Sequence, residues 1–361
     1  MPPEITLGWD LGGAHLKAAA IDGSGKVVWV KQLPCPLWQG AEHLDRAVAA
    51  VLQEVPDAIR HAVTMTGEVS DLFRNREAGV AGILSRFGAQ VPASRTLVYA
   101  AGAGFLSPAR AARKPEAVAS ANWAASAQLV ASRLPDALLV DVGSTTTDIV
   151  PIRGGTLAAQ AWSDQERLAR EELAYTGVVR TPLMALADRI PFGGQWIVPM
   201  AEVFATTADV YRLTGELPGG ADQLPAADNG GKTARDSARR LARMIGRDLE
   251  SAPLAAWKRC ARYLADLQLW RIRQACERVL SNDAGLDRAP LVGAGVGRFL
   301  VRKLAHRLGR RYRDFAALVP SASGRAAWAA SCAPAVAVAV LAADQMGNAR
   351  KSRHVGRQAR R

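Results

Sequence analysis

The chain has few of the residues that build disulfide frameworks, zinc fingers or secretory signals. Its 361 residues include four cysteines, and none of them forms a CxxC pair. This spacing argues against a metal finger and favours free thiols in a reducing compartment. The first residues, MPPEITLGWD, show neither a basic n-region nor an apolar h-region, so no secretory signal is predicted. We therefore expect a cytoplasmic protein.

Long apolar runs are also scarce. The stretch 326–343 has no charged residue, and its 18 residues are the lower limit for a membrane-spanning helix. It consists mostly of alanine and contains Ser331, Cys332 and Pro334, so it is weakly apolar for insertion. A buried C-terminal helix starting near Pro334 is the better interpretation, and no membrane partner is expected.

Acidic residues are outnumbered, 33 against 46 lysines and arginines, which gives a formal net charge of +13. Six of the basic residues lie in 350–361, so we predict a basic disordered tail at 349–361. The remaining positive charge could attract phosphorylated or carboxylate-rich substrates. Nucleic-acid binding is the competing explanation, but no recognition motif accompanies the charge, and no nucleic-acid partner is expected.

A strand, a tight turn and a returning strand are predicted at LLVDVGSTTTDIVPI, residues 138–152. The glycine lets the backbone come close to a ligand, and hydroxyl and amide groups can hold phosphate oxygens. The aspartates are hard oxygen ligands of the kind that Mg²⁺ prefers. The alternative is an ordinary hairpin in which Thr favours strands and Asp favours turns. The residues concerned are Asp141, Gly143, Ser144, Thr145, Thr146 and Asp148.

The N-terminus carries a second copy of this pattern in ITLGWDLGGAHLKAAAID, residues 5–22. Two such hairpins imply two related lobes that face one site. The histidine could be a general base or a polar strand residue. The lysine could neutralise phosphate charge or serve no role in the site. The second copy supplies Asp10, Gly12, Gly13, His15 and Lys17.

A third glycine-rich element appears late in the chain, in PLVGAGVGRFL, residues 290–300. It is predicted to be a short strand that leads through a turn into a helix. Its glycines Gly293, Gly295 and Gly297 are a weak signal alone, because such turns occur in many α/β folds. After two Asp-Gly hairpins they support a phosphate-binding site.

These three elements, in this order, resemble the actin, sugar-kinase and Hsp70 superfamily. The sequence VDVGSTTTDIVPI is similar to the hydantoinase A and oxoprolinase branch. Further segments resemble a narrower family, the tetrahydromethanopterin-linked C1-transfer pathway proteins related to the methanofuran-precursor synthase. These segments are MTGEVSDLF (65–73), ASANWAASA (119–127), ELAYTGVVRTPL (172–183) and ADVYRLTGEL (208–217).

The resemblance implies an α/β, two-lobed actin-like ATPase (ribonuclease H-like) fold with an interlobe phosphate-binding cleft. We expect the first lobe at 1–134 and the second at 135–348. One long helix is predicted at 115–132, and another that ends at Gly177. The loop 215–231, rich in Gly, Pro and Asp, is a candidate lid or insertion. The arginines of the helix 232–250 are expected to form a solvated face, with an anion-binding stripe as the alternative.

Other polar residues are candidates for the substrate cleft. Glu68 follows a strand end, where ligand sites of α/β proteins collect. Asn122 is unusual in an Ala-rich helix and is predicted to reach the site. The resemblance implies that Tyr175, Thr176 and Arg180 line the cleft. The alternative is that their segment forms only a helix C-cap and a strand.

The narrow resemblance implies a transferase that joins an (aminomethyl)furan-methyl diphosphate to the phenol of tyramine or glutamyl-tyramine and releases pyrophosphate. Mg²⁺ would be held by Asp10, Asp141 and Asp148, and the glycines and hydroxyls of the two turns would bind the phosphates. The general base is expected to be His15 or Glu68. ATP is not expected to be required. The alternatives are an ATP-dependent small-molecule kinase, a hydantoinase- or oxoprolinase-like hydrolase, and a non-catalytic nucleotide switch.

Overall fold

A computed structural model describes residues 4–358, with side chains as far as Gln345. The amino-terminal part alternates strands and helices after an opening run of three strands. Its elements are β1 (Ile5–Leu11), β2 (His15–Ile21), β3 (Val27–Pro34), α1 (Glu42–Glu54), β4 (Ala58–Met65), α2 (Arg76–Gln90), β5 (Thr96–Ala100), β6 (Gly104–Leu106), α3 (Pro108–Ala111), α4 (Pro115–Val118) and α5 (Asn122–Ala131).

The rest of the chain repeats the strand hairpin and then becomes mainly helical. Its elements are β7 (Ala137–Val142), β8 (Thr147–Arg153), β9 (Thr156–Leu157), α6 (Asp164–Ala169), β10 (Leu173–Ala174), β11 (Ile190–Phe192), β12 (Gln195–Ile197), α7 (Thr207–Thr214), α8 (Ala234–Met244), α9 (Leu254–Ser281), β13 (Leu291–Ala294), α10 (Arg298–Arg307), β14 (Tyr312–Asp314), α11 (Ala326–Ser331) and α12 (Ala333–Gln358).

The chain divides into two compact units. Unit 1 comprises Met1–Pro135, Ile152–Ala158 and Asp314–Arg361, and unit 2 comprises Asp136–Pro151 and Ala159–Arg313. We predicted that the second lobe continues to residue 348, whereas the segment from Asp314 onward belongs to unit 1. Each unit contains one mixed sheet. The strand orders are β3-β2-β1-β4-β5-β6 in unit 1 and β10-β8-β7-β13-β14 in the second sheet.

The C-terminal helix α12 packs against β1, β2 and β4 of the first sheet, as well as against α5. Gly8 of β1 makes this close approach possible, because a Cβ at that position would lie 2.0 Å from the Ala335 carbonyl oxygen.

The backbone of α12 continues through 349–358, part of the tail that is predicted from the sequence to be disordered. The last residues of that tail, 359–361, lie outside the described residues. Among the described residues, no helix is long and apolar enough to cross a membrane.

Two predicted helices are shorter than the sequence suggested. The segment 115–132 forms α4 and α5 with a break between them, where Ser120 has a left-handed φ of 50°. The helix predicted to reach Gly177 ends at Ala169, and Glu171 has a φ of 53°. There the buried guanidinium of Arg167 donates from Nη2 to the Glu172 carbonyl at 2.9 Å, which stabilises the turn of the chain into β10.

Ion pairs connect the loop 215–231, which is predicted as a lid or an insertion, to the helices α7 and α8. Arg240 is fully buried and reaches Asp209 at 2.7 Å and Asp228 at 2.9 Å. Arg212 pairs with Asp222 of the same loop at 2.5 Å. Arg240 therefore belongs to an internal ion-pair network and is not part of a solvated arginine face.

Candidate functional site

In unit 1, Asp10 lies at the end of β1, opposite Lys17 of β2. Lys17 Nζ donates to Asp10 Oδ2 at 3.2 Å, and the aspartate is only 1% exposed. Its second oxygen, Oδ1, is buried and has no hydrogen-bond partner among the described residues. Since buried polar atoms are nearly always hydrogen-bonded or liganded, Oδ1 is a fitting contact for a cation or a cation-bound water.

The turn between β1 and β2 requires glycine. A Cβ on Gly12 would lie 2.5 Å from the His15 carbonyl oxygen. The amide of Leu37 donates to the Gly13 carbonyl at 2.9 Å, so the turn is fixed by a neighbouring loop. His15, the first residue of β2, is buried at 5% exposure beside this turn. The turn is therefore rigid, and its amides lie close to Asp10.

Glu68 follows β4 and is connected to the break between α4 and α5. Ser120 Oγ donates to Glu68 Oε1 at 2.8 Å. Arg76 Nη1 donates to Ser120 Oγ at 3.2 Å and lies 3.8 Å from Glu68 Oε1. These contacts connect Glu68 with the break between α4 and α5. Asn122, by contrast, is the first residue of α5, and its Oδ1 accepts from the Trp123 amide at 2.8 Å.

In unit 2, the turn 143–146 joins β7 to β8. It closes on itself, because the Gly143 amide donates to the Thr146 carbonyl at 2.8 Å. The Ser144 Oγ is buried and has no hydrogen-bond partner within the described part of the chain. Asp141 lies one residue before the end of β7 and is 8% exposed. The predicted hairpin with its hydroxyl-rich turn is therefore present.

Asp148 has a partner that the sequence did not indicate. Its Oδ1 accepts from Arg167 Nη1 at 2.9 Å, and the Arg167 side chain is 1% exposed. This is a buried ion pair, and the metal role predicted for Asp148 stays a prediction. Within residues 4–358, no group of three or more His, Cys, Asp or Glu side chains is arranged to hold a metal ion.

The late glycine motif packs against the end of β7. Strand β13 is parallel to β7, with Ala294 opposite Asp141. A Cβ on Gly295, whose φ is 78°, would lie 2.2 Å from the Val142 carbonyl oxygen and 2.4 Å from Asp141 Oδ1. The Gly297 amide donates to the same carbonyl at 2.8 Å. These glycines bring the start of α10 beside Asp141.

Gly293 contributes differently from the other two glycines. A Cβ at this position would lie 2.7 Å from a carbon of the Tyr312 ring. The glycine therefore makes room for an aromatic side chain of β14. The phosphate role predicted for Gly293 stays a prediction.

The segment 175–181 packs against the turn 143–146. The amides of Val179 and Arg180 donate to the Ser144 carbonyl at 3.1 and 2.9 Å. A Cβ on Gly177 would lie 2.4 Å from the Ser144 carbonyl carbon, so only glycine permits this contact. Arg180 Nη1 lies 3.5 Å from Thr145 Oγ1. Burial lowers the pKa of Arg180 from its usual value, and Tyr175 opposes this effect.

The other two predicted cleft residues of this segment differ in exposure. Tyr175 is 67% exposed, whereas Thr176 is 4% exposed. Thr176 accepts a hydrogen bond from Gln268 Nε2 at 2.7 Å through its hydroxyl. Sequence reasoning missed Gln268, because a glutamine in a charged amphipathic helix is normally a surface residue.

The four cysteines are buried and poorly suited to nucleophilic chemistry. All four are free thiols and buried. Burial raises the pKa of Cys35 and of Cys260 to about 12 and also raises the pKa of Cys276. Since the thiolate is the reactive form, these thiols are poor nucleophiles at neutral pH.

Comparison with known proteins identifies the family and the fold of this chain. The hydantoinase/oxoprolinase family pattern matches residues 60–344. The chain belongs to the hydantoinase/oxoprolinase family. Within this family it is 31% identical over 252 residues to the (4-{4-[2-(gamma-L-glutamylamino)ethyl]phenoxymethyl}furan-2-yl)methanamine synthase of Methanocaldococcus jannaschii. That alignment covers 68% of this chain and 73% of the relative, which confirms the predicted narrower resemblance.

The synthase of the same name from Methanococcus vannielii is 32% identical over 164 residues, covering 44% of this chain and 70% of that protein. Among solved structures, a nucleotide-free acetone carboxylase has a TM-score of 0.57 at 12% identity. The match covers 93% of this chain and 70% of that one. It shows the fold alone. The predicted two-lobed actin-like fold class of this family member is confirmed.

Proposed function

We propose that this family member is a biosynthetic transferase that makes a methanofuran precursor. Its reaction would join an (aminomethyl)furan-methyl diphosphate to the phenol of tyramine or glutamyl-tyramine. The observation that carries this proposal is the 31% identity to a synthase whose name describes a phenoxymethyl-furan product, over 73% of that relative's length. Such a product contains the aryl-alkyl ether that the proposed reaction forms.

The bond between the exocyclic furan carbon and the diphosphate oxygen breaks, and pyrophosphate leaves with the electron pair. The furan ring stabilises positive charge at that carbon, which makes this departure feasible. The phenol oxygen then bonds to the carbon, and its proton is transferred to a base. The reaction needs no oxidant and no energy from ATP.

Each unit carries residues that would suit a phosphate group or its metal ion. In unit 2, the amides and hydroxyls of 144–146 would bind phosphate oxygens, and Ser144 Oγ, which has no hydrogen-bond partner among the described residues, is a donor for one of them. Arg180 would add positive charge there, and Asp141 would be the carboxylate for Mg²⁺. In unit 1, Lys17 would add positive charge, and Asp10 would hold Mg²⁺ through its buried Oδ1. When bound, Mg²⁺ would neutralise the charge that develops on the leaving group.

The phenol has a pKa of about 10, so a base must accept its proton. The candidates are Glu68, which accepts a hydrogen bond from Ser120 and lies near Arg76, and His15, which lies beside the first turn. The buried free thiols are consistent with a cytoplasmic protein.

The decisive experiment measures pyrophosphate release with Mg²⁺, the furan-methyl diphosphate and tyramine or its glutamyl conjugate, with a parallel ATPase assay. Pyrophosphate should appear only when both organic substrates are present, and ATP should remain intact. Asp10→Asn and Asp141→Asn should each abolish release. Asp22→Asn is the matched control, since Asp22 lies in an exposed turn where it accepts from Ser24. ATP consumption without a coupled product would refute the synthase proposal and favour the kinase, hydrolase or switch alternatives.

A further inference from the structure

A fully buried amide side chain lies in the core of unit 2. Gln268 of α9 is 0% exposed and is surrounded by a largely apolar cluster. Its Oε1 accepts from the Tyr211 hydroxyl of α7 at 2.6 Å. Its Nε2 donates to Thr176 Oγ1 at 2.7 Å and to the Gly177 carbonyl at 2.8 Å. The donor and acceptor atoms of the amide are all used, so its orientation is fixed.

The two residues that Gln268 binds are part of the segment that supports the turn 143–146. Thr147 Oγ1, next to this turn, donates to the Thr176 carbonyl at 2.7 Å. Gly177 lies directly against the backbone of Ser144 and Thr145. Thr207 Oγ1 donates to the Gly177 carbonyl at 2.8 Å, which adds α7 to the same set of contacts. The helices α7 and α9 thus meet at one carbonyl behind the turn.

Backbone hydrogen bonds from Val179 and Arg180 already hold this segment on the turn, and the Thr181 and Thr207 hydroxyls donate to the Gly177 carbonyl. Apolar packing adds no direction to these contacts, because hydrophobic contacts are not directional. Hydrogen bonds from a fully satisfied amide are directional, and in a low-dielectric core their loss is costly. A glutamine provides two donors and one acceptor at the end of a long side chain. A leucine or methionine would fill the space without fixing Gly177.

We propose that Gln268 is a positioning residue for ligand binding by the turn 143–146. It holds Thr176 and Gly177 at the distance that places the amides of Ser144 and Thr145 for phosphate oxygens. Tyr211 orients the amide and contributes to the same effect. This inference rests on the proposed function for the ligand, a diphosphate, but its structural part does not depend on the reaction.

The test uses Gln268→Met, which keeps the side-chain length and removes all three hydrogen bonds. Amide hydrogen exchange of peptides containing 143–149 and 175–183 reports the position of the turn directly. We expect exchange in both peptides to rise by about tenfold, with the KM for the furan-methyl diphosphate and the Kd for magnesium pyrophosphate rising by a similar factor, about the loss of one hydrogen bond. The KM for the phenolic amine should change less.

Cys276→Ala is the matched control, since Cys276 is buried in the same cluster about two turns further along α9. It should leave both peptides and both constants unchanged. Tyr211→Phe keeps the core volume. It should raise hydrogen exchange, the KM for the diphosphate and the Kd for magnesium pyrophosphate as Gln268→Met does, but by smaller factors. It also provides the measurement if Gln268→Met does not fold.

The outcomes are distinguishable. Unchanged exchange in both variants overturns the positioning role, whatever the reaction. Increased exchange with an unchanged Kd and KM overturns the connection between Gln268 and the ligand. Absence of pyrophosphate release in the unmodified protein overturns the proposed function, while hydrogen exchange still decides whether Gln268 positions the turn.

Discussion

Gly177 contacts the backbone of Ser144 so closely that no side chain fits between them. A Cβ added to Gly177 would lie 2.4 Å from the Ser144 carbonyl carbon and 2.5 Å from the Thr145 amide nitrogen. Both neighbours are backbone atoms of the proposed ligand-binding turn, so they can yield only if the turn moves. Because of this contact, a shift of the segment 175–181 would move the turn.

Gly177→Ala should therefore displace the turn. We expect the free energy of unfolding to fall by about 1–3 kcal/mol, as for overpacked sites, and kcat/KM for the diphosphate to fall by more than tenfold. Denaturant titration and steady-state kinetics measure the two effects. Gly219→Ala is the control, because a Cβ there meets nothing within 4 Å. Equal kinetics for both variants would contradict the prediction.

Gly8→Ala should destabilise the packing of α12 on the first sheet. The new Cβ would lie 2.0 Å from the Ala335 carbonyl oxygen and 2.8 Å from the Ala339 Cβ. We expect a loss of at least about 3 kcal/mol in the free energy of unfolding, since a helix backbone must move. Urea denaturation followed by circular dichroism gives the value. Gly88→Ala in α2, where a Cβ meets nothing within 4 Å, should be neutral or stabilising.

His61 should make the protein sensitive to acid. It accepts a hydrogen bond from Trp9 Nε1 at 3.2 Å, and burial, with a smaller contribution from Arg95, lowers the pKa of His61 from 6.5 to about 4. The unfolded chain therefore binds more protons than the folded chain between these values. Neutral His61 therefore imposes no loss of stability above pH 6.5. As the pH falls from 6.5 towards 4, the free energy of unfolding decreases by up to about 3 kcal/mol.

Denaturant titrations at pH 7, 5.5 and 4.5 measure this dependence. His61→Asn keeps an acceptor for Trp9 and removes the titrating group, so its stability should fall less steeply in this range. His43→Asn, on the exposed side of α1 with Arg46 as its neighbour, should retain the slope of the unmodified protein. Identical slopes for all three proteins would refute the assignment to His61.

The ion-pair network around Arg240 should fix the loop 215–231. Arg240→Met leaves the carboxylate of Asp209 buried with one guanidinium fewer, which should cost about 3–5 kcal/mol. Limited proteolysis should then cleave within 218–230. Arg239→Ala provides the comparison, because Arg239 is 45% exposed and its pair with Asp236 should contribute at most about 1 kcal/mol. A loop that resists proteolysis in Arg240→Met would mean that other contacts hold it.

Local patterns were sufficient to locate the turns of the candidate site. The hairpins around Asp10 and Asp141 form as predicted because alternating apolar runs, a turn glycine and adjacent hydroxyls specify such a structure within a short stretch. The start of the C-terminal helix near Pro334 was predicted from composition for the same reason. The family resemblance, confirmed by similarity to the synthases, added the order of the elements.

The partners of individual side chains could not be predicted in this way. The pairing of Asp148 with Arg167, 19 residues further along the chain, was not indicated by any local pattern. Arg240 was expected in solvent, but it is buried, because its carboxylate partner lies 31 residues away. The break at Ser120 is accompanied by a hydrogen bond to Glu68, 52 residues earlier, and no local pattern indicated this contact.

Turn chemistry and apolar periodicity within a few residues specified the three glycine-containing turns, and the family resemblance specified the fold class. Long-range packing decided which polar side chains are buried, which glycines are required by close contacts, and that the C-terminal helix packs on the first sheet. These features depend on pairs that are far apart in sequence. Burial makes each unmatched charge or hydrogen bond costly, so long-range packing selects the partners.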